Sequence, residues 1–481
     1  MGVYCTTPQE RNAGYCFRVA YQFNGGFCEE RFDKMESMAD RAFLTGALCV
    51  LAASSLMAAT IPSRTFSRDV WPILESRCVS CHQAGEIAPM AFTSYKQVRP
   101  WAGAIREAVL SKKMPPWHAV SENSHAFRND RSLSKAEIET LVTWVDSGAA
   151  EGVPAVEYVP GARQGDWKLG EPDVAFQVPG FQVPKTGPVP YSFLIVPLHF
   201  EHDTWVRAAE FRIDQRAVIH HINAFVRSKD SSYLTGFPTN QIFVPTRADR
   251  SRTRAGEAVF ERRQLLLGYE PGYAPMPWLE GGAKLIQAGS DLVFEMHFNP
   301  NGKEVTDHSE FGLYFAKGAP TKRVLAIDTL RDLDFAIPPH DRNYLSSASM
   351  TVASPAQLLS IQPHMHVRGK SMEVRAVYAD GRTQTLLTVP KYDFNWQTTY
   401  VFKQPVDLPA GTRLESVAGF DNSVNNSYNP NPGATVRWGD QTTEEMHIAF
   451  LELAIDAAAN AESLLQSPPR MVGTPTGGGS R

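Results

Sequence analysis

The pentapeptide Cys78-Val79-Ser80-Cys81-His82 carries the densest chemistry in this 481-residue chain. Two thiols with two residues between them can add to the vinyl groups of a haem, and the next histidine can reach the iron. A bare pair of cysteines would suit a small metal or redox site. With the histidine, covalent c-type haem on Cys78, Cys81 and His82 is the expectation. An iron that only shuttles electrons needs a second axial ligand, and a thioether stabilises the reduced metal. Met90 follows His82 too closely to cross easily to the other haem face. Met114 sits in Lys113-Met114-Pro115-Pro116-Trp117, where prolines stiffen the loop. Met114 is therefore the expected ligand, with Met90, His118, His125 or an open site as alternatives.

Histidines far downstream have metal-ligand spacing. His364 and His366 stand two apart in Ile361-Gln362-Pro363-His364-Met365-His366-Val367. On a strand they share a face about 6.6 Å apart, close enough to converge on one ion, while Met365 turns the other way. An exposed polar edge is the alternative. Met446, in Glu444-Glu445-Met446-His447-Ile448, could add a sulphur from a neighbouring strand, although a strand methionine is more often packing. His220 and His221 are adjacent, so an ideal strand sends them to opposite faces, and a bulge, a twist or a strand end is needed to aim both inward. Their apolar neighbours Val218, Ile219 and Ile222 argue against exposure of both, which leaves one as a possible core histidine. His297 lies in the apolar run Leu292–Phe298, where an unpaired imidazole would be costly. Joining His220 and His221 would remove that cost, and so would a single core hydrogen bond.

These residues need elements to hold them. Asp69–Arg77 can form a short helix leading into the cysteine loop, and Pro100–Lys112 carries a helical stripe of Trp101, Ile105, Ala108 and Val109. Ser134-Lys135-Ala136-Glu137 is a capping box, followed by Ile138, Leu141, Val142 and Val145 and ended by Gly148. The pattern predicts a small all-α haem domain over 64–155, its thin core completed by the cofactor. It resembles class I c-type cytochromes, with Trp144-Val145-Asp146-Ser147-Gly148 similar to their terminal helix. Beyond Pro172 the texture changes. Short apolar, β-branched or aromatic runs such as Tyr191–Leu198, Ala217–Val226, Glu373–Tyr378 and Thr398–Phe402 alternate with proline, glycine and asparagine turns. That predicts two all-β sandwiches, at 165–325 and 326–460, in place of a βαβ sheet.

Residues 1–34 have no sustained apolar period, whereas Ala42–Ala59 is an apolar run ending in small residues before Pro62. An export signal processed near Ala58 to Ile61 is expected, with translation starting at Met35 or Met38, so that residues 1–60 are leader. The protein would then be periplasmic or secreted, and tied to a membrane only if that segment is retained. Of the six cysteines only Cys78 and Cys81 would survive processing, so packing and not disulfides must hold the rest. A net charge of −4 gives no case for nucleic-acid steering. Arg247, Arg250, Arg252, Arg254, Arg262 and Arg263 are interleaved with Asp249, Glu257 and Glu261 and read as a solvated loop leading into a short helix, with a polyanion site as the alternative. The tail 461–481, which contains GTPTGGGS at 473–480, is expected to be disordered.

Taken in order, His220-His221, Glu295-Met296-His297-Phe298-Asn299-Pro300, His364-Met365-His366 and Glu445-Met446 resemble the copper type II, ascorbate-dependent monooxygenases. That family includes peptidylglycine α-hydroxylating monooxygenase and dopamine β-monooxygenase. Gly268-Tyr269-Glu270-Pro271-Gly272 and Asp307–Phe315 are also similar to it, so the likeness spans about 200 to 455. It implies two jelly-roll-like sandwiches, one copper ion on each, facing across a solvent-filled cleft. It puts His220, His221 and His297 on the electron-transfer copper, and His364, His366 and Met446 on the copper that binds O2 beside the substrate. Hydroxylation of a C–H bond would take two electrons, from ascorbate or another small reductant or from an electron-donor protein. The fused haem is expected to pass electrons to the copper at His220, His221 and His297. The chain departs from the family in having no cysteine in its β-rich part. The peptide-amidating members have arginine, asparagine and tyrosine where this chain has Gln362, Ile448 and Phe450. The resemblance therefore points away from peptidylglycine and toward a small apolar or aromatic substrate. An exported copper and haem carrier without oxygenase activity, or a surface-binding sandwich with structural histidines, is the competing expectation.

Overall fold

The computed structural model describes residues 64–120, 127–153, 167–251 and 263–466. The expected leader, His125, the stretch 154–166, Arg252, Arg254 and Arg262, and the tail beyond Gln466 lie outside the described residues, while 461–466, expected to be disordered, form the 3-10 turn Ala461–Leu464 and the strand Leu465–Gln466, which pairs with Thr351 and Val352. Among the described residues no helix is long and apolar enough to cross a membrane.

Side chains on a strand alternate between its faces, and in Tyr344–Val352 Ala348, Met350 and Val352 enter the core while Ser347 and Ser349 between them are exposed. Three sheets matter here. The longest has eight strands, in the order Val174–Gln177, Glu310–Phe315, Thr204–Arg212, Gly282–Ile286, Lys322–Asp332, His447–Asp456, Ala356–His364 and Tyr400–Leu408. A five-stranded sheet covers its first half: Ile242–Phe243, Ser192–Pro197, Asp291–Phe298, Ile219–Arg227 and Gln264–Tyr269. Another five-stranded sheet covers its second half: Thr383–Val389, Gly369–Val377, Arg413–Phe420, Tyr344–Val352 and Leu465–Gln466. The first sandwich packs Phe211, Phe311 and Leu313 against Leu194, Ile222 and Phe294, all buried. The second packs Leu325, Leu358, Ile361 and Leu453 against Met350, Val374, Leu387 and Leu414.

The two sandwiches share the eight-stranded sheet. Its halves meet where Lys322 and Arg323 pair in parallel with Gly282 and Ala283. The buried Lys284 crosses the same seam, bonding Glu452 Oε1 at 2.6 Å and the carbonyl oxygen of Leu266 at 2.9 Å. Val324, Leu359 and Ala454 fill the seam with Trp278 and Leu279.

The expected all-α cytochrome c-like domain over 64–155 is not what forms, and the chain is mostly β-sheet. The helices in that region are short: Trp71–Arg77, Tyr95–Val98, Ala102–Leu110 and Lys135–Asp146. The capping box is present, with Ser134 Oγ accepting from the Glu137 N–H and Glu137 Oε2 accepting from the Ser134 N–H. Phe66, Val70, Leu74, Val98, Ile105, Leu141 and Trp144 give these helices one small core. Two helical stripes were legible, but the chain between them does not continue as helix. It leaves instead to join the second sandwich. Trp117 and Phe127 are buried in that sandwich's core beside Tyr400 and Phe402, and the Val120 and Arg128 N–H groups bond the carbonyls of Thr388 and Val401. Apolar surface that an independent domain would need for itself is spent on the β-sheet neighbour.

Candidate metal centres

His220, His221 and His297 come together on the first sandwich. The strand Ile219–Arg227 pairs with Asp291–Phe298 through Ile219↔Phe298 and then His221↔His297, with a register shift between them. His220 is the extra residue at that shift. A bulge turns one more side chain to the same face, which is how two adjacent histidines both reach His297. Ligand-capable nitrogens of the three lie within 4.8 Å of one another, and the Nδ1 atoms of His220 and His221 are 3.1 Å apart. Two nitrogens sharing one ion at bonds of about 2.0 Å and near-tetrahedral angles would be about 3.3 Å apart. Tyr191 stacks on His297 at 4.3 Å between ring centroids and fixes its plane. His297 Nδ1 is buried with no hydrogen-bond partner. A buried imidazole nitrogen left so is costly, and a metal ion would satisfy it. Burial, with neighbouring imidazoles, pushes His221 well below the ordinary histidine range and His297 down to about 4. All three are neutral bases at pH 7, the form that binds a metal.

His364 and His366 lie at the end of the strand Ala356–His364 and just beyond it, with ring centroids 5.3 Å apart and planes nearly perpendicular. Each has its Nδ1 occupied. His364 Nδ1 donates to Gln397 Oε1 at 2.6 Å, and His366 Nδ1 donates to the Glu444 carbonyl at 3.2 Å. Both acceptors are oxygens, so both Nε2 lone pairs are left for a ligand role. Burial pushes these two down to about 3 and about 4. His364 pairs with Ile448, so Met446 enters the sheet at the end where His366 leaves it. Glu445 ties the two segments, accepting the backbone N–H groups of His366 at 2.7 Å, Arg368 at 2.6 Å and Met446 at 3.3 Å. The adjacent His447 is no ligand candidate: Ser346 Oγ and Ser416 Oγ satisfy both ring nitrogens at 2.7 and 2.9 Å.

The ring of Phe394 lies against both histidine groups. Its ring centroid is 6.3 Å from that of His220 and 5.8 Å from that of His366. Phe450 packs on His364 at 5.7 Å, and Ile448 is buried. Gln362 does not point a free amide into the site, because Glu270 and the Gln397 carbonyl take it.

In the helical region Cys78 and Cys81 are unpaired thiols, and burial pushes Cys78 up to about 12. His82 stacks flat on Phe92 at 4.3 Å and donates Nδ1–H to the Met90 carbonyl at 3.2 Å, which leaves Nε2 as its open nitrogen. That arrangement fits an axial ligand, and it ties Met90 to the histidine's own side. Met114 follows the helix Ala102–Leu110, its N–H bonded to the Ala108 carbonyl at 3.2 Å. Gly272, on the turn after Gln264–Tyr269, holds φ +84°, and a side chain there would collide with Arg131 and lie 3.4 Å from Cys81 Sγ.

Gln397, Glu445, Phe394 and Glu270 support these sites without having stood out as site residues in the sequence. Only Glu445 and Glu270 lay inside a quoted motif, and Gln397 and Phe394 sit in a loop with no repeating pattern.

The chain matches no protein-family profile and no curated protein. Among solved structures it is loosely similar to the infectious bursal disease virus VP2 subviral particle, at 10% identity over 61% of this chain and 74% of that one, TM-score 0.18. PNGF-II aligns at 9% identity over 55% and 66%, TM-score 0.21, and allantoicase from Saccharomyces cerevisiae at 7% over 57% and 80%, TM-score 0.17. At such scores the likeness carries nothing about activity.

Proposed function

We propose that this chain is an exported copper-dependent monooxygenase that hydroxylates a C–H bond of a small apolar or aromatic substrate, supplied with single electrons through a haem on Cys78, Cys81 and His82. The observation that carries the reading is the pair of neutral histidine groups, one with an orphaned buried nitrogen, both within reach of the Phe394 ring. His220, His221 and His297 would hold one copper ion, and His364, His366 and Met446 the other. Copper would supply one-electron storage at the first site and, where two nitrogens and a thioether favour Cu(I), dioxygen binding at the second. Gln397 and the Glu444 carbonyl keep the protons of His364 and His366 on Nδ1, away from the ligand side. Phe394, Phe450 and Ile448 make the neighbourhood apolar, which excludes water and suits a substrate without charge. The amide at 362 is committed to Glu270 and Gln397, so it offers no clamp for a substrate carboxylate.

Elemental analysis with electron paramagnetic resonance and O2 uptake tests the reading. Two coppers and one haem per chain are expected, with a type 2 signal and O2 consumption driven by ascorbate or another one-electron donor. His297→Ala should lose one copper and Met446→Leu should alter the signal of the other. Full metal loading with no O2 uptake on any apolar or aromatic substrate would leave a carrier. One copper or none would remove the oxygenase.

A further inference from the structure

Both amide hydrogens of Gln362 are committed. One goes to Glu270 Oε1 and the other to the main-chain oxygen of Gln397 at 2.8 Å. Gln397 then offers its side-chain oxygen to His364 Nδ1 at 2.6 Å. An amide oxygen only accepts, so this last bond requires the His364 proton to be on Nδ1 and turns its Nε2 lone pair outward. The chain starts on one sandwich and ends on the other. Glu270 follows the strand Gln264–Tyr269, and His364 ends Ala356–His364. A lone loop glutamine is free to rotate away from a histidine, but one whose backbone is pinned by a clamped amide is not.

We propose that Glu270 is a positioning residue for His364, acting through Gln362 and Gln397 to fix which ring nitrogen faces the metal side. The proposal rests on the reading of His364 as a ligand only for its purpose, since the bonds belong to the protein alone. Glu270 is not among the residues that would hold the metal, and its link to His364 runs through Gln362 and Gln397. Without an acceptor at position 270 the Gln362 amide is half-released, the Gln397 loop loosens, and the imidazole of His364 can adopt either tautomer or flip.

The test uses the full-length protein, metal-free and labelled with 15N-histidine, with His364 assigned by its disappearance in His364→Ala. In the wild type, long-range proton–nitrogen correlations should show His364 protonated on Nδ1. Glu270→Leu should abolish that fixed pattern and weaken copper binding at this site by about tenfold, while Glu270→Gln, which keeps an acceptor oxygen, restores both. A wild-type His364 protonated on Nε2 overturns the proposal, as does an unchanged His364 pattern in folded Glu270→Leu. Should Glu270→Leu fail to fold by circular dichroism, Gln362→Met cuts the same link, and an unchanged pattern there is equally fatal. Absence of copper binding in every form, with the tautomer fixed as stated, would sink the monooxygenase reading and leave this one standing.

Discussion

At the scale of single residues, polar groups near the two histidine clusters are satisfied with few exceptions, and the exceptions point to chemistry. His447 shows the contrast. It adjoins Met446, yet Ser346, itself bonded to Asp332, and Ser416 occupy both its nitrogens. His447→Leu should lower stability by about 1–3 kcal/mol, read from urea unfolding, because the buried Ser416 hydroxyl loses this partner while Ser346 keeps Asp332, and on the proposed function it should leave the copper count unchanged. His297 is the opposite case, with a buried nitrogen that no protein atom answers. Glu270 gives a pH prediction. Burial raises its carboxyl to about 8, against the pull of the Gln362 amide and of Arg131. Tyr392 and Tyr400 are the other titratable groups that sense it. A folded-state value above the unfolded one means the native protein holds the proton more tightly. Its contribution is therefore complete below the unfolded value of about 4.5 and is lost as pH rises toward 8. Glu270→Gln should flatten that fall, so urea midpoints of variant and wild type should differ most in their slopes between about pH 5 and pH 8.

At the scale of elements, helices and strands with a strong period were legible, and their partners were not. The capping box at Ser134 and the stripe Ile138, Leu141, Val145 predicted the helix Lys135–Asp146, and Ser134→Ala should cost about 1 kcal/mol, seen as faster amide exchange in its first turn. Between the helices the chain has no such period to follow. Trp117 and Phe127 are apolar whichever core they enter, and nothing in their spacing says that it is a β-sandwich. The adjacency of His220 and His221 looked like an obstacle to a shared site. The register shift that resolves it depends on the partner strand, which local sequence does not specify. The HxH spacing anticipated the closeness of His364 and His366, but the strand ends at His364, and it is Glu445, accepting the His366 N–H, that holds the second histidine beside the first. Phe294, fully buried between the sheets of the first sandwich, should cost about 3–5 kcal/mol as Phe294→Ala in urea unfolding.

At the scale of the whole molecule, helical region, first sandwich and second sandwich are interdependent. A chain shortened to begin near residue 167 would uncover Tyr400 and Phe402 where Trp117 and Phe127 now pack, and should bind a hydrophobic dye that the full chain does not. Lys284→Met would strand Glu452 at the seam, with an expected loss of about 3–5 kcal/mol. That seam has a consequence for motion. Because one hydrogen-bonded sheet runs through both sandwiches, the molecule has no jaws to part at this junction. Movement near the two histidine groups should therefore be confined to loops such as the one that carries Phe394, and amide exchange should be faster there than in the strands of the shared sheet.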